Sequence, residues 1–469
     1  MKTYDLYING QWTKSSNDRV IQVENPATKE IVACVPRGNA EDVDKAVLAA
    51  RSAQADWAAK PVKERADLMR KLADVIESKH DELCLVISNE MGIPLKHALG
   101  YHVSGASNEA RFFADMAENF QYEIPMEGGA VLREPVGVVA GITPWNYPLD
   151  QATYKLFPAI VSGNTVVLKP SQNAPTCCLI LAECFDEAGF PAGVFNVVTG
   201  VAGEVGNALA THKEVDAVSF TGSTSGGIEV GKLALNTVKK IALELGGKSP
   251  LIVLEGGDLE AAVEHVCSDA FMNTGQTCCA YTRFLIHESL KERAEELLKA
   301  EAAKYITGDP LDDNTEVGPL VSEKAWIKVK GYIEKGIAEG ARLIAGEIPE
   351  NCDNGYYVKP AVFMDVTNDM TIAQEEIFGP VLSVITFKDD DEAVAIGNDT
   401  QYGLASGVYG PQDRAMAVAK RLKAGNCSVN GAGGSLAYPF GGYKMSGIGR
   451  ELGTFGFEEF LEIKSVFFA

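Results

Sequence analysis

The 469-residue chain is 46% hydrophobic and 23% charged, long enough for two or three packed domains and too apolar to be disordered as a whole. Its 42 basic and 64 acidic residues leave a formal charge of −22, which repels phosphate backbones and anionic lipid, so neither nucleic acid nor a membrane is an expected partner. No apolar run approaches the roughly 20 residues that span a bilayer, the opening MKTYDLYINGQW has no signal-peptide core, and the ten cysteines follow no CxxC or zinc-ligand spacing. A cytoplasmic protein with free thiols and no metal is expected.

Short strands are predicted over 1–35, with turns at Asn9-Gly10 and Asn25-Pro26. Residues 40–120 read as helices, punctuated by Gly92, Pro94 and Gly100. Residues 120–133 read as a hairpin turning at Gly128-Gly129. Apolar strands then recur at 136–142, 165–168, 195–198, 217–220 and 241–245, separated by helix-length segments such as 175–189. Continuous apolar strands alternating with helices indicate parallel pairing with both faces covered.

A second α/β block follows. Strands are expected at 249–254 and 283–287. Between them Leu259, Ala262, Val263, Val266 and Ala270 share one helical face. Further strands are expected at 381–387, 404–409 and 427–430. The hairpin and the apolar tail from 457 are candidate edge strands. Long apolar edges are paired or covered, so an oligomer interface is expected here, the alternative being that they cover the same subunit.

Three stretches carry chemistry. Phe271-Met272-Asn273-Thr274-Gly275-Gln276-Thr277-Cys278-Cys279 lies between a predicted helix and a predicted strand. A loop thiol beside glycine can be held open to a ligand, and its thiolate is a strong nucleophile; the same string also suits a small buried hydrophobe. Leu243-Glu244-Leu245-Gly246-Gly247-Lys248 puts a carboxylate at a strand C-terminus, where parallel sheets open onto ligands, and apolar neighbours raise such a pKa toward that of a general base. Pro144-Trp145-Asn146-Tyr147-Pro148 follows another strand, and Asn146 offers an uncharged donor for an oxyanion or for a turn.

Together these stretches resemble the aldehyde dehydrogenase superfamily. The resemblance runs over nearly the whole chain. It extends to Lys169-Pro170-Ser171, Phe220-Thr221-Gly222-Ser223-Thr224, Glu376-Ile377-Phe378-Gly379-Pro380 and Pro439-Phe440-Gly441-Gly442-Tyr443-Lys444-Met445-Ser446-Gly447. It implies an α/β fold of two parallel-sheet domains plus a small β oligomerisation element. The implied divisions are a Rossmann-like dinucleotide-binding domain (1–117 and 135–246), a catalytic domain (247–440) and oligomerisation strands (118–134 and 456–469).

By resemblance, Cys278 is the nucleophile that takes an aldehyde through a thiohemiacetal to a thioester. Asn146 and the Cys278 N–H hold the oxyanion, Glu244 activates water, and Lys155 supports proton movement near Glu244. The cofactor contacts implied are Trp145, Lys169, Ser171, Gln172, Gly222, Ser223, Glu376 and Phe378, with Lys169 and Glu376 on the two riboses. The Gly-x-Gly-x-x-Gly fingerprint is absent from the predicted sheet; the Thr221-Gly222-Ser223 turn stands in its place. Many relatives carry Glu where this chain has Gln172. A carboxylate repels a 2′-phosphate and a neutral amide does not, so NAD use with tolerance for NADP is expected.

The implied substrate lining is Tyr147, Gln151, Tyr154, Met272, Cys279, Phe440 and the stretch 434–438. It is apolar or neutral, with Asp150 near its mouth, and suits an uncharged aldehyde. The two tyrosines also leave room for an amino aldehyde. Self-association as a dimer or a homotetramer is implied. Three rivals are a cysteine hydrolase, which gives Lys169 and Glu376 no ligand; a binding protein without turnover, against which Cys278, Glu244 and Asn146 all count; and acyl transfer to coenzyme A, against which Glu244 counts.

Overall fold

A computed structural model describes residues 2–468, apart from the side chains at positions 101 and 102. Met1 and Ala469, the outermost residues of the expected divisions, lie outside the described residues. The fold is α/β. It is built on two large sheets, one of eight strands and one of seven, and two three-stranded sheets.

The larger sheet has at its centre Lys240–Glu244, Ala217–Thr221, Val138–Ile142, Thr165–Lys169 and Phe195–Val197, all parallel. Every residue of Val138–Ile142, Thr165–Lys169 and Ala217–Thr221 is buried. Helices cover both faces, so these strands do not alternate apolar with polar. On one face Ala40–Ala59 packs through Val43, Ala46, Val47 and Ala50; its N-terminus is closed by a capping box between Asn39 and Asp42. On the other face lie Val62–Ser78, Val103–Asn119, Asp150–Val161 and Thr176–Ala188.

The sheet is not parallel throughout. Leu6–Ile8 and Gln11–Thr13 add an antiparallel hairpin at one edge, and Gly447–Ile448 pairs antiparallel with Lys240–Glu244 at the other. Short segments reaching an edge need no crossover helix, so they join in either direction and cap the exposed ladder.

The seven-stranded sheet runs Arg342–Ala345, Ala361–Met364, Val381–Phe387, Tyr281–His287, Ser249–Val253, Ala405–Tyr409, Asn426–Val429, and only the Arg342–Ala345 edge is antiparallel. The sequence reading missed its first two strands. The large sheets are joined directly: Lys240–Glu244 passes into Ser249–Val253 through residues 245–248. The strand C-termini of one sheet therefore face the loop that precedes Tyr281–His287 in the other.

Leu461–Phe467, Gly129–Pro135 and Glu123–Met126 form an antiparallel three-stranded sheet, with Ile463 opposite Arg133. Leu461 is buried, but Ile463 is 73% and Phe467 84% exposed. No described helix is long and apolar enough to cross a membrane, and the described residues contain no cluster of three metal-ligating side chains.

Candidate active site

The helix Leu259–Phe271 ends where Asn273, Thr274 and Gly275 all take positive φ (50°, 58° and 68°). Left-handed backbone is costly outside glycine, and here it is held by side chains. Asn273 Nδ2 donates to the Asn146 carbonyl (2.8 Å) and Thr274 Oγ1 to that of Gly318 (3.1 Å). Gln276 Nε2 donates back to Asn273 O (3.1 Å), and its Oε1 accepts from the Val321 N–H (2.9 Å). A Cβ on Gly275 would overlap the backbone of Gly379. Gly275→Ala is therefore expected to lower the thermal midpoint by at least ~3 °C and to impair activity with it; a thermal melt beside an assay checks both.

A turn follows, closed by the Ala280 N–H donating to Thr277 O (3.3 Å), with Cys278 and Cys279 at its centre. Both cysteines are half-buried, whereas Cys34, Cys84, Cys177, Cys178, Cys184 and Cys267 are buried. The Cys278 N–H donates to no group among the described residues. Asn146 is buried and gives one Nδ2 hydrogen to Gln276 O (2.9 Å), which leaves the other available beside the turn. Tyr147 shares a hydrogen bond with Thr277 Oγ1 (2.9 Å). The Cys278 thiol is held well above the ordinary thiol range by its hydrogen bond with Cys279, then by burial and the nearby Glu244 and Glu376 carboxyls.

Glu244 ends its strand 3% exposed, and neither carboxyl oxygen has a hydrogen-bond partner among the described residues. Burial, then the charge of Glu451, pushes its pKa well above the carboxylate range; Lys155 and Arg450 oppose this. Lys155 lies fully buried on Asp150–Val161. It donates to Thr221 Oγ1 (2.6 Å) and pairs with Glu451, while Thr221 is the cross-strand neighbour of Glu244. The sequence reading missed Glu451. In Gly-Arg-Glu-Leu it reads as a solvated charge, and only its non-local partner accounts for its burial.

The residues implied as cofactor contacts are placed as follows. Ser223 is exposed and caps Thr224–Leu235 by accepting from the Gly226 N–H (3.2 Å), while Gly222, half-buried, donates to Glu244 O (3.0 Å). Lys169 is buried, with Nζ donating to Pro170 O (2.9 Å), and burial pushes its pKa down to about 8. Ser171 accepts from the Asn173 N–H (3.3 Å), and Gln172 is exposed. Glu376 accepts from the Gly247 N–H (3.1 Å) and packs on Gly246 where a Cβ would collide with its carboxyl. Trp145 and Phe378 meet edge to face, centroids 5.5 Å apart. The donor set fits a dinucleotide: helix N–H groups for phosphate, a buried ammonium and a carboxylate for hydroxyls, and an aromatic pair to border a ring.

Of the residues expected to line the substrate site, Tyr154 and Phe440 pack against the same apolar cluster with Trp145 and Leu436. Gln151 is 6% exposed, and its Oε1 has no hydrogen-bond partner among the described residues. Met272, at the end of its helix, and Cys279 are each half-buried. Within 434–438 only Leu436 is sheltered; Tyr438 is 64% exposed, so most of that stretch faces solvent.

Comparison with known proteins accords with this geometry. Residues 12–466 match the model described as "Aldehyde dehydrogenase family". A protein of Staphylococcus saprophyticus bearing an aldehyde dehydrogenase name is 44% identical over 463 residues, 98% of each chain. A mutant aldehyde dehydrogenase C of Pseudomonas syringae, solved with NAD+ and octanal, superposes with a TM-score of 0.97 at 42% identity, over 99% of this chain and 96% of that one. The NAD+ complex of a Bacillus cereus aldehyde dehydrogenase gives 0.96 at 40% identity, over 99% and 96%. Matched by the family model from residue 12 to 466 and by relatives over nearly its whole length, this chain belongs to the aldehyde dehydrogenase family.

Proposed function

We propose that the protein oxidises an uncharged aldehyde to its carboxylate with NAD, tolerating NADP, and that Cys278 carries the acyl group between the two halves of the reaction. The observation behind this reading is the pair of unspent donors, the Cys278 N–H and the second Asn146 N–H, beside a half-buried thiol. In the first half, Cys278 Sγ adds to the carbonyl carbon and the two donors receive the developing oxyanion. When bound, oxidised nicotinamide supplies the hydride acceptor and a positive charge that favours the thiolate. Loss of hydride from carbon leaves a Cys278 thioester. In the second half, ionised Glu244 takes a proton from water, the hydroxide adds to the thioester carbon, and the tetrahedral oxyanion collapses with the Cys278 thiolate as leaving group.

Lys169 and Glu376 would hold the two riboses, with Ser171 and Gln172 beside Lys169. Gly222 and Ser223 would meet the pyrophosphate, and Trp145 with Phe378 would border the nicotinamide. On this reading residues 1–117 and 135–246 form the dinucleotide-binding unit and 247–440 the catalytic one. Residues 118–134 and 456–469 would mediate association into a dimer or tetramer, which the exposed Ile463 and Phe467 support. The substrate lining, Tyr147, Gln151, Tyr154, Met272, Cys279 and Phe440, contains no cation, which disfavours acid-bearing aldehydes. The octanal bound to the Pseudomonas relative is of the favoured class.

A screen of NADH and NADPH formation over short aliphatic, aromatic, amino- and acid-bearing aldehydes tests the reading. It expects turnover on uncharged members, and turnover confined to acid-bearing aldehydes would reverse the substrate assignment. Gln172→Glu is expected to cut kcat/KM with NADP by about tenfold or more while changing that with NAD less than about threefold, because a carboxylate repels only the 2′-phosphate.

Glu451→Gln tests the electrostatics around the base. Glu451 is the second cause raising the Glu244 pKa, and neutralising it also leaves the Lys155 charge unshared. Both effects favour ionised Glu244. The acid limb of kcat should move to lower pH in a pH-rate profile, and a move to higher pH would contradict the arrangement.

A further inference from the structure

Glu451 owes its place to the residue that follows it. Leu452 has φ 61° and ψ 169°, a backbone shape almost confined to glycine. Gly453 is also at positive φ (56°), so the chain makes a corner between Glu451 and the short helix Gly453–Glu458. Hydrogen bonds hold both arms. Phe440 and Glu451 exchange two backbone bonds (2.6 and 2.7 Å), the Gly453 N–H donates to Leu436 O (2.9 Å), and the Gly456 N–H donates to Leu452 O (2.8 Å). The Leu452 side chain is buried in the apolar cluster that contains Phe457 and Phe460 and that Leu436 and Phe440 border. A shape this costly persists only where its surroundings over-determine it, and such shapes gather at functional sites.

The corner lies next to the proposed base. Phe440 leads into Gly441, whose backbone rests on the Glu244 carboxyl; a Cβ there would stand 2.5 Å from Oε1. Glu451, bridged to Phe440, pairs with Lys155. We propose that Leu452 is a positioning residue: burial of its side chain forces a glycine-like corner that sets the Glu451 carboxyl on Lys155, beside Glu244. This rests on the reading of Glu244 as the base, and Leu452 acts only through Glu451.

Substitution at this position separates shape from packing. Leucine carries both the strain and the anchor. Alanine keeps the Cβ, and with it the strain, but loses the anchor, so its corner should relax to ordinary backbone and release Glu451 from Lys155. Glycine removes the strain as well, and the bonds to Phe440 and Leu436 are then enough to keep the corner. The ionisable groups facing Glu244 are Glu451, Lys155, Arg450, Glu459 and Cys278; those facing Glu451 are Lys155, Glu109 and Tyr154. After burial, Glu451 does most to raise the Glu244 pKa. Its release therefore favours ionised Glu244 and moves the acid limb of kcat to lower pH.

The test compares the full-length wild type with Leu452→Ala, Leu452→Gly, Glu451→Gln and the double variant of Leu452→Ala with Glu451→Gln, by thermal melts and by kcat against pH. The acid limb of Leu452→Ala should move about half a pH unit or more to lower pH, as in Glu451→Gln, and the double variant should move no further than Glu451→Gln alone. Leu452→Gly should keep its limb within about 0.2 pH unit of the wild type, and it should melt above Leu452→Ala although it buries less. An alanine variant that fails to fold beside a glycine variant that folds meets that order of stability, and the glycine limb must still match the wild type. The proposal is overturned by an unmoved limb in Leu452→Ala, by shifts that add in the double variant, or by a glycine variant that shifts as far as the alanine one, melts below it or does not fold. Survival of the wild-type limb in Glu244→Gln is a separate result, and it would overturn the base reading together with this proposal.

Discussion

Replacing Cys278 with Ala is expected to lower kcat/KM for aldehyde oxidation by about 10⁴-fold or more while leaving NAD affinity within a few-fold. The proposed cofactor contacts, the Thr221-Gly222-Ser223 turn, Lys169 and Glu376, do not depend on the sulfur for their hydrogen bonds. The Cys278 N–H remains in the variant, and so does Asn146, held by Gln276. What disappears is the only protein atom in this account that bonds to the substrate carbon. Cys279→Ala should cost far less, about tenfold at most, since it leaves the bonding atom in place and removes only lining. Steady-state rates with isothermal titration of NAD separate the two predictions; equal losses for both cysteines would show that the wrong sulfur has been assigned.

Glu244→Gln carries the second large effect, and its signature is a change in kinetic shape. A positioned general base contributes about 10²–10⁴-fold, so steady-state turnover should fall by that order. Thioester formation needs no proton from Glu244, so the first turnover should survive as a burst of NADH equal to the number of active sites. The isosteric amide also relieves the repulsion from Glu451, so the fold should tolerate it. The wild-type pH dependence follows from the same geometry. Burial and then Glu451 raise the Glu244 pKa, and the base works only when ionised. Turnover should therefore fall as pH drops through the raised value, and that limb should vanish in Glu244→Gln. Loss of the burst together with turnover would place Glu244 in the first half of the reaction instead.

Much of this was legible in the sequence for identifiable reasons. Val138–Ile142 and Thr165–Lys169 are buried on both faces, so their runs are uniformly apolar. The hairpin Glu123–Met126 and Gly129–Pro135 announces itself through Gly128 at positive φ. Arg342–Ala345 is a half-exposed edge strand with no buried residue, so it carries no comparable pattern, and Ala361–Met364 is a buried run of only four. The antiparallel edge Gly447–Ile448 exists only through its distant partners Leu243 and Glu244.

The site divides the same way. Cys278, Glu244 and Asn146 lie in local motifs whose chemistry can be read from neighbours. Glu451 and the clamp on Gln276 depend on Lys155 and Val321 from remote segments. No local window reports that a carboxylate in Gly-Arg-Glu-Leu will be buried against a lysine from another helix.

The most direct test is to mix Glu244→Gln with NAD and an excess of a short aliphatic aldehyde, quench in acid within the first turnovers, and read the mass of the peptide that contains both cysteines. An increment equal to the acyl group of that aldehyde, fragmenting to Cys278, is the predicted result. An unmodified peptide at the time when NADH has already formed, or an acyl group on Cys279, would contradict it.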